Sequence, residues 1–104
     1  MIAALKKLFG IGPGVDYKEL ITQGAVIIDV RSKSEYQGGH VKNSKNIPLD
    51  SLASQLKQFK NKEQIIITCC ASGMRSGKAA SRLKSSGYSH VYNGGGWQSL
   101  QSKL

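Results

Sequence analysis

The chain has 104 residues, too few for a second domain but enough to bury one core without disulfide or metal staples. Its two cysteines, Cys69 and Cys70, are adjacent, and a bridge between neighbours is strained, so free thiols in a reducing compartment, the cytoplasm, are expected. The net charge of +9 comes from 15 Lys and Arg residues scattered from Lys6 to Lys103; without a dense basic stripe and interleaved aromatics, no nucleic-acid partner is expected, only a surface that attracts small anions.

From Met1 to Gly10 the lysines follow a short apolar patch, whereas an export signal carries them before a longer one. No apolar run approaches the ~20 residues that span a bilayer, so no membrane partner is expected. Residues 1–14 read as an N-terminal arm and 15–104 as the single domain. A monomer or weak dimer is expected.

Asp16-Tyr17-Lys18-Glu19 sets a cap residue three positions before a glutamate and predicts a short helix stopped by Gly24. Ala25 to Val30 is continuously apolar apart from Asp29, as in a strand covered on both faces. Ser32-Lys33-Ser34-Glu35 repeats the capping pattern and predicts one helical turn, halted at Gly38-Gly39. Asn46-Ile47-Pro48 reads as a brief edge strand, because proline donates nothing to a central ladder.

A helix from Asp50 or Ser51 would align Leu52, Leu56 and Phe59 on a core-facing stripe. Gln64 to Cys69 predicts a second fully buried strand, and Arg75 to Ser86 a helix packed through Ala79, Ala80 and Leu83 and ended by Gly87. Tyr88 to Tyr92 reads as another strand, Gly94-Gly95-Gly96 as a turn, and the segment bearing Trp97 and Leu100 as a last short helix. Strands separated by helices predict an α/β sandwich with a mostly parallel sheet, whose ligands sit at the carboxyl ends of the strands.

Cys70 falls at such an end. It is followed by the glycine-bearing loop Ala71-Ser72-Gly73-Met74-Arg75-Ser76, whose N–H groups, together with the start of the next helix, face the sulfur with positive potential. That field favours the thiolate over the thiol and suits nucleophilic sulfur chemistry on an anion. Arg75 at a helix start opposes the dipole, which calls for an anionic partner.

Five ordered blocks make the chain from about Val15 to Leu100 resemble a single-domain rhodanese-family sulfurtransferase. They are Ile28-Asp29-Val30-Arg31; Glu35-Tyr36 with Gly39-His40-Val41; Asn46-Ile47-Pro48-Leu49; Cys70 to Ser76; and Asn93 with the glycines before Trp97. The resemblance implies a three-layer sandwich around a five-stranded sheet of order 1-5-4-2-3. It implies Cys70 as a nucleophile that becomes a persulfide, residues Ala71, Ser72, Gly73, Met74, Arg75 and Ser76 as the substrate cradle with Arg75 closing it, and Asp29 and Arg31 as supports beside the loop.

It further implies a small anionic sulfur donor such as thiosulfate, a thiol or thiol-protein acceptor, and no metal or organic cofactor. The chain departs from the family's pattern at Ala71, where many active members carry a basic residue, at Ser44 in place of alanine, and at Trp97, which follows Gly96 directly.

Two other readings stand beside this one. Arg75 lies five positions after Cys70, the sulfurtransferase spacing, and six after Cys69, the Cys-x5-Arg-Ser spacing of tyrosine phosphatases and arsenate-reducing relatives. Gly73, three after Cys70, and the apolar run that Cys69 continues favour Cys70, with the Cys69 side chain directed to the opposite face. The third reading is a non-catalytic module that binds a protein partner. Asp29 and Arg31 are expected to form a structural ion pair, His40 and His90 to be non-catalytic, Met74 to lie at the pocket mouth and Trp97 to pack.

Overall fold

Two β-branched runs form the centre of the sheet because neither face of it meets water. The structure, a computed structural model, describes residues 14–104; the expected arm at residues 1–14 lies outside the described residues save for Gly14. In chain order the elements are α1 (Tyr17–Thr22), β1 (Val26–Asp29), α2 (Lys33–Gln37), β2 (Lys45–Asn46), α3 (Leu52–Gln55, with 3-10 turns Leu49–Ser51 and Leu56–Gln58 on either side), β3 (Ile66–Cys70), α4 (Met74–Ser85), β4 (Val91–Gly96) and α5 (Trp97–Ser102).

Both capping signals form as the residues dictate. The Asp16 side chain accepts the Glu19 N–H, and Ser32 and Glu35 make a reciprocal capping box at the start of α2. The sheet is parallel throughout, in the order β2-β1-β3-β4. Among the described residues it has four strands where the resemblance implied five. Those four keep the implied order 5-4-2-3, and the member without a counterpart is the first, beyond β4.

Apolar side chains from alternate positions on β1 and β3 fill two cores. Ile28, Ile66 and Cys70 face α3 and α4, where Leu52, Ala79, Ala80 and Leu83 meet them. Ile27, Ile67 and Cys69 face α1 and α5, against Leu20 and Leu100. Period-two alternation thus sends the two cysteines to opposite layers.

Three expectations about element limits need correction. The helix predicted from Asp50 or Ser51 breaks into 3-10, α and 3-10 turns, although Leu52 and Phe59 are buried as the stripe requires. The last strand runs from Val91 to Gly96 instead of Tyr88 to Tyr92. Its glycines belong to the strand because β4 must pass close to the cysteine loop: a Cβ on Gly96 would stand 2.9 Å from the Ala71 carbonyl oxygen. Pairing between β3 and β4 is irregular there, with Thr68 opposite Asn93 but Cys70 opposite Gly96.

Candidate active site

The site is built where β3 ends and α4 begins. Cys70 is the last residue of β3, and three residues later Gly73, with φ +102°, reverses the chain into the helix. The Gly73 N–H donates to Sγ at 3.0 Å, and the left-handed conformation at the same residue turns the chain that follows into the helix. Ser76 in the first turn of α4 donates its N–H to the same sulfur at 3.3 Å and places Oγ 3.4 Å away. Thr68 on β3 pins this turn by donating its hydroxyl to the Ser76 carbonyl at 2.9 Å.

Cys70 is only 1% exposed, and burial opposes its ionisation. Hydrogen bonding with the Ser76 hydroxyl, once that group turns its proton to the thiolate, and with the amides of Ser76, Ser72 and Gly73 outweighs that cost and holds the thiol below its ordinary value. Cys69 has the reverse balance. It is fully buried against the other core, and burial, with help from the Asp29 charge, pushes its thiol up to about 12.

Arg75 does not point into the N–H cradle. Its guanidinium forks onto Glu35 of α2, with Nη1 to Oε1 at 2.7 Å and Nη2 to Oε2 at 3.0 Å. The anionic partner expected for this arginine is therefore, first of all, a residue of the chain itself. Glu35 takes two of the guanidinium's five N–H donors and leaves the other three to further partners. The Arg75 hydrogen bond, joined by the Ser32 amide, lowers the Glu35 carboxyl to about 2.

Of the other cradle residues, Ser72 and Gly73 lie on the loop as expected. Ala71 is exposed, and Met74, the first residue of α4, is 75% exposed.

Asp29 and Arg31 form the structural pair expected of them. Arg31 Nε stands 2.9 and 3.0 Å from the two carboxylate oxygens, and Nη2 reaches Oδ2 at 2.6 Å. The same guanidinium donates to the Glu35 and Gly39 carbonyls at 3.2 and 2.7 Å and lies 4.9 Å from the Trp97 ring centroid. Support for the loop is therefore indirect, running from β1 through α2 to the Glu35 carboxylate and Arg75. His40 stacks on Tyr36 with centroids 3.7 Å apart and bonds the Tyr36 carbonyl through Nδ1, a local packing role.

Sequence reasoning assigned no function to Asn93 or Glu35. Asn93 touches the loop at Gly73 and Ser76, and its signal was only its place ahead of the glycines. Glu35 was visible as a cap but not as the partner of Arg75, because that pair joins residues 40 positions apart. Among the described residues no group of His, Cys, Asp or Glu could hold a metal ion, and no helix is long and apolar enough to cross a membrane.

A model of the rhodanese-like domain family matches residues 15–103. The uncharacterized protein YqhL of Bacillus subtilis (strain 168) is 39% identical over 84 residues, covering 77% of this chain and 64% of that protein. Thiosulfate sulfurtransferase PspE of Escherichia coli (strain K12) is 35% identical over 74 residues, covering 70% of this chain and 71% of that enzyme. A solved structure described as rhodanese with anions from E. coli has 34% identity and a TM-score of 0.69 over 73% of this chain and 91% of that one. The chain spans just under two thirds of YqhL and only 21% of a tRNA uridine(34) hydroxylase from Enterobacter sp. (strain 638) that it also matches.

Proposed function

The chain belongs to the rhodanese-like domain family, and from that premise we propose that it is a sulfurtransferase carrying sulfane sulfur on Cys70. The observation that carries the proposal is the convergence of the Gly73 and Ser76 N–H groups on Cys70 Sγ at the start of α4. A thiolate there attacks the outer sulfur of thiosulfate or a similar anion. A bond forms between Sγ and that sulfur, the donor's S–S bond breaks, and sulfite leaves with the electron pair. The resulting persulfide carries its charge toward the same amides.

An acceptor thiolate, or cyanide in the test tube, then attacks the outer sulfur and returns Cys70 as thiolate. Arg75, braced by Glu35, offers its remaining donors to the donor's sulfonate oxygens. The partners in this reading are a small anionic sulfur donor and a thiol or thiol-protein acceptor. The setting is the reducing cytoplasm, which keeps both cysteines free. Nothing in the geometry favours a phosphatase or arsenate reductase working through Cys69, whose sulfur lies in the opposite core.

Intact mass after incubation with thiosulfate tests the proposal. Wild type and Cys69→Ala are expected to gain one sulfur atom and Cys70→Ala none. A gain that survives Cys70→Ala, or no gain in wild type together with hydrolysis of an aryl phosphate, would overturn it.

A further inference from the structure

Two hydrogen bonds beside Cys70 have a proton order that cannot be reversed, and together they orient a third. The Asn93 side-chain amide lies between the end of β4 and the cysteine loop. Its Oδ1 is 2.9 Å from the Gly95 N–H, and its Nδ2 is 3.3 Å from the Gly73 carbonyl. A backbone N–H only donates and a carbonyl only accepts, so the orientation of the amide is dictated at both ends. Oδ1 also stands 2.6 Å from Ser76 Oγ, and as a pure acceptor it takes the single proton of that hydroxyl. Ser76 Oγ then faces Cys70 Sγ, 3.4 Å away, with its lone pairs. That arrangement receives an S–H proton and repels a thiolate.

We propose that Asn93 is a positioning residue that governs the ionisation of Cys70 by holding the Ser76 proton off the sulfur. In the thiol state protons run Cys70 to Ser76 to Asn93. When Cys70 loses its proton, the Ser76 O–H turns from Oδ1 to Sγ, and Oδ1 keeps the Gly95 N–H. The Gly73 and Ser76 amides favour the thiolate throughout, and Asn93 opposes them through the hydroxyl alone. One rotation about the Ser76 side chain therefore separates the protected thiol from the nucleophile. The inference rests on Cys70 being the reactive sulfur of the proposed sulfurtransferase, and it adds how that sulfur is held ready.

The other charged and titratable groups around Cys70 lie outside this relay. Arg75 on α4 is paired with Glu35 of α2, and on β1 Asp29 is paired with Arg31. Cys69 on β3 faces the other core, with its thiol at about 12. With Glu35 at about 2, neither it nor Cys69 changes charge across neutral pH.

The test is a double-mutant cycle read by the ultraviolet absorbance of the thiolate against pH, with wild type, Asn93→Leu, Ser76→Ala and the double variant. Asn93→Leu is expected to lower the Cys70 pKa by about one, the worth of the Ser76–Asn93 hydrogen bond that the thiol state alone would lose. In the Ser76→Ala background that lowering should vanish. If Asn93→Leu is too unstable to titrate, Asn93→Ser withdraws the same acceptor with a shorter polar side chain and enters the same cycle. An equal shift with and without the Ser76 hydroxyl would mean that Asn93 acts only by holding the loop, and would overturn the proposal, as would no shift at all. The titration needs no sulfur donor, so failure of thiosulfate to load Cys70 would count against the sulfurtransferase reading while leaving this one measurable.

Discussion

Replacing Arg31 by leucine removes the counter-charge of a carboxylate that has no exposure at all. Asp29 would keep the Arg31 backbone N–H at 3.0 Å but lose all three contacts to the guanidinium. The Glu35 and Gly39 carbonyls would lose their donor, and the Trp97 ring its cation. Breaking one partner out of a buried ion pair costs about 3–5 kcal/mol. A domain of this size loses about 4–8 °C of melting temperature per kcal/mol, so the midpoint should fall by about 12–40 °C.

Against a total stability of about 5–15 kcal/mol, the variant should be measurable in the cold by urea unfolding followed at the single tryptophan, Trp97. Arg31→Leu combined with Asp29→Leu should recover a large part of the loss, because the uncompensated charge goes with it. A loss below about 1 kcal/mol for Arg31→Leu, or strict additivity in the double variant, would show that the pair is not the coupled unit its geometry describes.

Three further outcomes follow from the site. Glu35 has its folded value depressed to about 2 by Arg75 and the Ser32 amide, so its contribution is present above the ordinary carboxylate value of 4.5 and is lost as pH falls through about 2; Arg75→Met should return the Glu35 carboxyl toward 4.5 in an NMR titration, and an unmoved value would refute the pairing. Gly73→Ala meets a positive φ of 102° and the Gly95 Cα at 3.4 Å; it should cost about 1–2 kcal/mol in thermal unfolding and, by turning the N–H off Sγ, slow alkylation of Cys70 at neutral pH by roughly tenfold. Ala71→Lys adds a cation at an exposed residue of the loop and should lower the KM for thiosulfate about three- to tenfold, an advantage that salt erases; an effect on kcat alone would argue against a contact there.

Local signals carried most of the fold. Asp16 and Ser32 cap their helices through neighbours three residues away, and such contacts can be read wherever the chain supplies both partners in one short window. The continuous apolar runs at β1 and β3 likewise foretold a sheet covered on both faces. What escaped was set by distant parts of the chain. Gly94 to Gly96 looked like a turn because glycine usually punctuates, yet here the glycines keep a strand within reach of the cysteine loop, and that reason lies at Ala71. The Arg75 partner was foreseen only as an anion, since Glu35 lies 40 positions away in the chain and meets it only in the fold.

The adjacent cysteines show how little of the chemistry belongs to the residue type. Cys69 and Cys70 share a strand, a neighbour and a thiol, and a strand turns successive side chains to opposite faces. On one face the sulfur lies among Ile67, Leu100 and other apolar side chains, so burial dominates and the thiol rises to about 12. On the other face the chain must leave the sheet and start a helix, and the unsatisfied N–H groups of that start have nowhere better to point than Sγ. The lowered thiol of Cys70 therefore follows from its being the last residue of β3, and Cys69, one residue earlier, is a core residue for the same reason.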